Sequence, residues 1–526
     1  MVSRIPLRRH RMKSFVRFLS FLVLWAMMQG GTWTCPKPVH CEESKPSGES
    51  FESIEALIGI LQEKGIIRAE EAEAFLQRYR KSKSQDAAQP VGLEAPPAIR
   101  AQEAVHGAVE QKPEPGAGEN LAHEADLVSS RSEGLSAAAD WARRIRWGGD
   151  IRLRYDADFF DDDNALLLEP DNPSELMNTR VDRHRGRVRA RLLIKAQVND
   201  SVEFAARLST GNEKDPVSTN ETFGDYMTNG NVVFDQLYLH WKPVPEVSVH
   251  CGRIPNPWFC SDLVWDPDLN FEGLSVAAKR TLAPKWKGFL TAGLFPLQEI
   301  EFSKKDKWLY AGQIGAEWSP SPDVGSKIGF AYYSYENITG EVNDPLRPGE
   351  KDWTAPLFQQ KGNTLMDIDP SPGIKTALAS DYDEFNVTAS LDLGMFDPIH
   401  VVFLVDYVIN LGFDRDDVAE RTGNPSVKKQ NQGYQVGLTV GYPHVRRFAA
   451  WNASLFYKCL EADAVLDAFT DSDFYLGGTN VKGWVLGSEF GLAKNVWLRG
   501  RWFTADEVDG PPLAIDVLLL DLNASF

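Results

Sequence analysis

Residues 518–526 give a strand with one wholly apolar face and one largely polar face. Leu518, Leu520, Leu522, Ala524 and Phe526 fall on one face of a strand, and Leu519, Asp521, Asn523 and Ser525 on the other. Side chains of an extended chain repeat every two residues, so such a segment has two different faces. The same period recurs from Trp147 onward. Ile151, Leu153 and Tyr155 alternate with Arg152 and Arg154; Val188, Ala190, Leu192 and Ile194 with Arg187, Arg189, Arg191 and Lys195; Phe385, Val387, Ala389 and Leu391 with Asn386, Thr388, Ser390 and Asp392. Alternation sustained over this many segments predicts antiparallel strands that are apolar on one side and polar on the other.

Two kinds of fold satisfy that pattern: a soluble sandwich with a dry interior, or a bilayer-spanning barrel with a wet one. Beyond the amino terminus, no run approaches the roughly 18 uninterrupted apolar residues of a membrane helix. If the chain crosses a bilayer, it does so as a closed β-barrel, since lipid tolerates no free strand edge. A mean hydropathy of −0.31 is compatible with this, because half of each barrel strand is polar. The connections support the barrel. Short turns at Asn199-Asp200, at Pro243-Val244-Pro245, over 319–325 and at Ala493-Lys494-Asn495 alternate with long loops over 156–182, 210–231, 254–270 and 337–381. Outer-membrane barrels have short periplasmic turns and long external loops. The expected fold is all-β: a transmembrane antiparallel up-and-down β-barrel of about 16 strands, with both ends on the turn side, preceded by a short α-helical segment and a flexible linker.

The amino-terminal quarter is organised differently. Arg4, Arg8, Arg9, Arg11, Lys13 and Arg17 precede a short apolar stretch at 18–28, the layout of a secretory signal peptide. Translation from Met12 would give it a shorter basic region, and cleavage after Cys41 would set the expected boundary at 1–41. Residues 42–81 carry helical spacing, with Ile54, Leu57, Ile58 and Leu61 before Gly65 and Ala72, Phe75, Leu76 and Tyr79 after it. In an exported chain this reads as a periplasmic docking segment. Residues 82–140, rich in Ala, Glu, Pro and Gly, read as a disordered linker, and 141–526 as the barrel domain. The net charge of −18 argues against a nucleic-acid partner. Cleavage after Cys41 leaves Cys251, Cys260 and Cys459, an odd set without metal spacing. Cys251 and Cys260 either pair across a loop mouth or stand as bystanders.

The segment 477–526 (GGTNVKGWVLGSEFGLAKNVWLRGRWFTADEVDGPPLAIDVLLLDLNASF) closely resembles the end of the bacterial "putative porin" family. The run WGGDIRLRYD at 147–156, the Arg-rich second strand, and Phe234-Asp235-Gln236-Leu237-Tyr238-Leu239 followed by Gly252-Arg253 fit the same family, over roughly residues 145–526. The resemblance implies a single barrel in the bacterial outer membrane that passes small hydrophilic solutes. Its partners would then be outer-membrane lipid and lipopolysaccharide, and the barrel insertion machinery, which reads a final aromatic such as Phe526. It supplies no catalytic residues and no cofactor, and by analogy with other barrels of this size a homotrimer is one expected assembly.

If the apolar faces meet lipid, the polar faces line a lumen. Arg152, Arg154, Arg187, Arg189, Arg191, Lys195, Arg207, Arg499 and Arg501 come from strands at the two ends of the chain, which a closed barrel makes neighbours. They form an expected basic wall, and Glu317, Asp392 and Asp406 an expected acidic wall opposite. Together they would set a transverse field that favours polar solutes. The competing reading is that each arginine braces the barrel by pairing with a carboxylate. Acidic clusters at Asp158 to Asp163, at Asp414, Asp416, Asp417 and Glu420, and at Asp463, Asp467, Asp471 and Asp473 read as solvated loops, or else as divalent-cation sites bridging lipopolysaccharide. Loops 254–270 and 337–381 are the two candidates to fold inward. Trp147, Trp241, Trp318, Tyr442, Trp451 and Trp484 sit near expected strand ends, where bilayer interfaces favour such rings. No G-x-S-x-G, H-E-x-x-H or P-loop appears, and His240 and His250 fall on strands. The chain therefore reads as a diffusion channel and not an enzyme; the alternative is a barrel acting mainly as an adhesin or envelope attachment.

Overall fold

A computed structural model of the chain describes residues 144–169, 175–224, 226–369 and 374–526. The expected signal peptide (1–41), helical segment (42–81) and linker (82–140) lie outside the described residues. Sixteen long strands follow in order: β1 Ile145–Phe160, β2 Arg183–Gln197, β3 Val202–Thr210, β4 Val232–Val244, β5 Val247–Pro255, β6 Asn270–Ala283, β7 Trp286–Gln298, β8 Lys307–Ser321, β9 Val324–Glu336, β10 Asp383–Phe396, β11 Ile399–Asn410, β12 Gln432–Gly441, β13 Trp451–Leu460, β14 Val481–Ala493, β15 Val496–Glu507 and β16 Ala514–Ser525. Each pairs antiparallel with the next. β16 returns to β1, from Asp150 opposite Ser525 to Phe160 opposite Ile515, and this pairing closes the barrel. Closure removes every long edge, which an open sheet in lipid would leave unpaired. The expected strand count and chain direction agree with this architecture.

Most turns on one rim are short, the connection over 442–450 being the long one. Residues 245–246, 284–285, 322–323 and 494–495 join their strands directly, with Lys285 and Asn495 at φ 71° and 60°, the left-handed geometry that tight hairpins use. Eight connections lie on the other rim. Three of them enter the barrel: L3 (256–269), L5 (337–382) and L7 (461–480). The loop over 411–431 carries one helix, α1 Arg415–Thr422, whose N-cap Asp414 accepts from the backbone N–H of Asp416 and Asp417. The acid-rich spacing at 414–417 is thus a helix start. Asp158 belongs to β1, not to the first loop, because β1 extends to Phe160.

Burial is inverted relative to a soluble protein. Leu239, Ile314, Val405 and Leu455 point outward, with Leu239 50% exposed, whereas Arg154 points inward at 3%. Exposed apolar bands and enclosed charges are the signature of a barrel whose outer solvent is lipid. Trp147, Trp241, Trp286 and Trp318 stand exposed on the outer face near the turn rim, and Trp286 and Trp318 stack with centroids 5.8 Å apart. The largest apolar cluster lies at the loop ends of the strands, inside the barrel. There Trp258, Leu263, Trp265 and Leu269 of L3 meet Leu466 and Phe474 of L7 and the wall residues Phe295, Leu309 and Tyr333.

Candidate functional site

The lumen is built in two tiers. At the turn rim the inward side chains are polar and partly exposed: Glu317 pairs with Lys279 at 2.7 Å and with Lys327 at 3.6 Å, Arg499 with Glu489 at 3.5 Å, and His400 lies 2.7 Å from Asp392. Toward the loop rim the lumen fills with L3, L5 and L7.

All residues of the expected basic wall sit on inward faces of contiguous strands, and each has a carboxylate or amide partner. Arg154 holds Asp521 at 2.6 Å across the β1–β16 seam and Asp473 of L7 at 2.7 Å. Arg501 joins Asp473 at 2.7 Å. Arg189 and Arg191 share Asp150 and reach Asp268 of L3 at 3.0 and 3.2 Å. Arg152 donates to Asn220 at 2.6 Å and lies 4.0 Å from Asp268. Arg187 meets Asp156 at 3.2 Å, and Arg207 grips Asp235 at 2.6 Å. Lys195 lies 3.4 Å from Glu203, which also binds Arg146. The strand carboxylates Asp150, Asp156, Asp158, Glu203, Asp235 and Asp521 were not among the expected wall residues. Their signal is parity: Asp150, Asp156 and Asp158 share the inward face of β1 with Arg152 and Arg154.

Of the expected acidic residues, Asp406 is buried on β11 and receives the Ser261 N–H of L3 at 2.9 Å and the Asn386 amide at 2.6 Å. It anchors a loop. Glu317 and Asp392 lie in the turn-side tier described above. L3 crosses the lumen between the two walls. Its Phe259 backbone exchanges two 2.8 Å hydrogen bonds with Gln313 of β8, and Asp262 accepts from Gln435 of β12 at 2.8 Å. Asp268 then touches the arginines of β2.

L7 folds in beside L3. Lys458 of β13 donates to Asp471 at 2.9 Å and to the Asp262 carbonyl at 3.2 Å. The Asp266 N–H donates to the Phe469 carbonyl, and the Ser472 N–H to Asp266, both at 2.8 Å. L5 ties in through Asn363 and Gln360, which donate to backbone carbonyls of L7. The cluster Asp463, Asp467, Asp471 and Asp473 is therefore turned into the barrel. Asp463 is 1% exposed, accepting from Thr364 and Tyr382, and neither a solvated loop nor an external cation bridge describes it. Both candidate inward loops, L3 and L5, enter the lumen, and L7 does so with them. Cys251, Cys260 and Cys459 are free, with Cys251 on the outer face.

Electrostatics follow from this packing. Burial alone would raise the Asp473 carboxyl, but the guanidinium groups of Arg154 and Arg501 outweigh it and hold it well below the usual carboxylate range. Burial likewise opposes Asp268, and Arg189, Arg152 and Arg191 keep it lowered. Asp266 faces the opposite balance: burial, then Asp268 and Asp471, push it well above the ordinary value.

A closed sixteen-stranded cylinder, apolar outside and lined with paired charges, defines a transmembrane β-barrel of the outer-membrane channel class. The chain belongs to the family described as "Putative porin", whose family model matches residues 52–526. The match reaches upstream of the barrel and takes in most of the expected helical segment. No curated protein matches the chain. Among solved structures it is similar to the outer membrane channel DcaP of Acinetobacter baumannii (14% identity, 73% of this chain and 97% of that one, TM-score 0.40). It is also similar to Pseudomonas putida OprB (13%, 76% and 97%, 0.42) and to a loop-deleted OmpT of Vibrio cholerae (10%, 73% and 99%, 0.39).

Proposed function

We propose that the protein is a passive, non-enzymatic channel through which small hydrophilic solutes and ions diffuse, narrowed at the level of L3 and L7. One observation carries this reading: paired charges line the inner face of β1–β3 and β15–β16, and L3 and L7 are fastened to that wall by ion pairs. Those contacts order water and favour solutes that can exchange hydrogen bonds with fixed dipoles. In this reading the arginines brace L3 and L7 and also set the local potential that a passing ion meets. Phe526, whose backbone N–H and carbonyl bond to Gly149 at the end of the seam, serves as the insertion signal. Planar-bilayer recording of the purified protein tests the reading: ohmic single-channel steps are expected. Absence of any conductance with a correctly folded barrel would overturn it in favour of an adhesin or attachment role.

A further inference from the structure

The loop-side half of the barrel holds a cavity of about 910 Å³, bounded by residues 211–219, the loop ends of β4–β8, and parts of L3, L5 and L7. This falls in the ordinary range for small-molecule sites, about 300–1,000 Å³. Much of its wall is apolar and ring-bearing, with Trp265, Phe271, Phe295, Phe358 and Phe469 contributing. Its charged groups are mostly spoken for. Asp235 is held by Arg207, Asp268 by Arg189 and Arg191, and Arg253 pairs with Glu272 at 2.6 Å. Asp215 accepts from the backbone N–H groups of Val217 and Ser218.

Lys307 is different. It opens β8, lines the cavity and is 5% exposed. Its Nζ donates to the carbonyls of Ala355 at 2.9 Å and Thr354 at 3.4 Å. Among the described residues no carboxylate lies within ion-pairing distance of it. An ammonium has three donors, so one donor and the whole charge remain unmatched. A buried charge without a counter-charge is costly unless something supplies one.

We propose that this cavity binds an apolar, ring-bearing carboxylate, with the carboxylate on Lys307 Nζ and the ring against Phe271, Phe295 and Phe469. The proposal names a solute class for the channel reading and rests on it for calling the ligand a solute; the binding itself does not depend on conductance. Phosphate or acetate would satisfy Lys307 but leave the aromatic wall unused. A neutral ring compound would fill the wall and leave the charge unmatched.

The test uses the full-length protein in detergent and equilibrium dialysis with benzoate, benzyl alcohol and acetate. Saturable benzoate binding at one site per chain is expected, about tenfold or more tighter than benzyl alcohol or acetate, since a charge-assisted hydrogen bond carries that much. Lys307→Met should lose that advantage, and Lys307→Arg should keep most of it. Absence of saturable benzoate binding, or benzyl alcohol binding as tightly as benzoate to the unaltered protein, would overturn the proposal without recourse to any variant. Bilayer recording of the same preparation separates the two readings. Conducting channels that do not bind benzoate sink this site alone, and benzoate binding by a non-conducting barrel sinks the channel alone.

Discussion

Asp473 ties L7 to the strand wall at two points, because one carboxylate bridges Arg154 and Arg501. Asp473→Asn should leave Arg154 with Asp521 only, costing about 2 kcal/mol, less than the ~3–5 kcal/mol of a fully orphaned buried charge. The uncovered guanidinium charge should shift the bilayer reversal potential toward anions; an unchanged potential would mean the pair has no part in selectivity. The pH response of the loops has two signs. Asp473 and Asp268 have lowered values, so their contribution is complete above about pH 4, the unfolded carboxylate value, and is lost only as pH falls through their depressed folded values. Asp266 is raised, so its contribution is present below about pH 4 and is lost as pH rises through its elevated folded value. Protection factors at 263–269 and 466–473, taken relative to the intrinsic exchange rate at each pH, should therefore be higher at pH 5 than at pH 8. Parity made the arginine face readable from sequence, and it applies equally to Asp150 and Asp156, so the bracing partners on the strands were within reach of the same rule. Asp268 and Asp473 were not, because the direction of a loop side chain depends on where tertiary packing takes the loop.

L3, L5 and L7 act as one inserted body, pinned to opposite walls. Gln313 is the cleanest handle on it, since both of its amide atoms bond the Phe259 backbone and it touches no charge pair. Gln313→Ala should weaken the β8 anchor by about 1–2 kcal/mol and raise both single-channel conductance and its noise. Unaltered conductance would show that L3 is held without it. Gly252 and Gly273 oppose each other across β5–β6 at φ 123° and 141°, one just before L3 departs and the other just after it returns. A Cβ on Gly273 would lie 2.2 Å from the Leu294 carbonyl oxygen, so a side chain there would disturb the point where the loop rejoins the sheet. The sequence pointed to L3 and L5 but not to L7, whose acidic residues suggested solvent. The better signal was its apolar content, with Val465, Leu466, Phe469, Phe474 and Tyr475 interleaved among the acids. A loop that rich in large apolar groups has a core to join.

On the scale of the whole barrel, the outer face is what places it in a bilayer. Leu455, near the middle of β13 and exposed outward, tests this. Leu455→Lys should destabilise the folded barrel in lipid by about 2–4 kcal/mol, read as a lower urea midpoint in liposomes; a neutral effect would contradict a lipid-facing surface. Phe526→Ala should lower the amount of folded protein reaching the membrane while leaving refolding in detergent intact. Strand number and direction were legible because a two-residue period and a short-turn, long-loop rhythm are local. The narrowed upper tier was not, because it arises from contacts between segments from about fifty to two hundred residues apart. The same holds for the seam, where Arg154 and Asp521 meet across 367 positions. The first strand therefore waits for the last: until β16 is in place, β1 presents a raw hydrogen-bonding margin and a guanidinium lacking its mate. Presence of the closing strand is in this way checked by the architecture itself, since a product lacking β16 has no means of sealing its own rim.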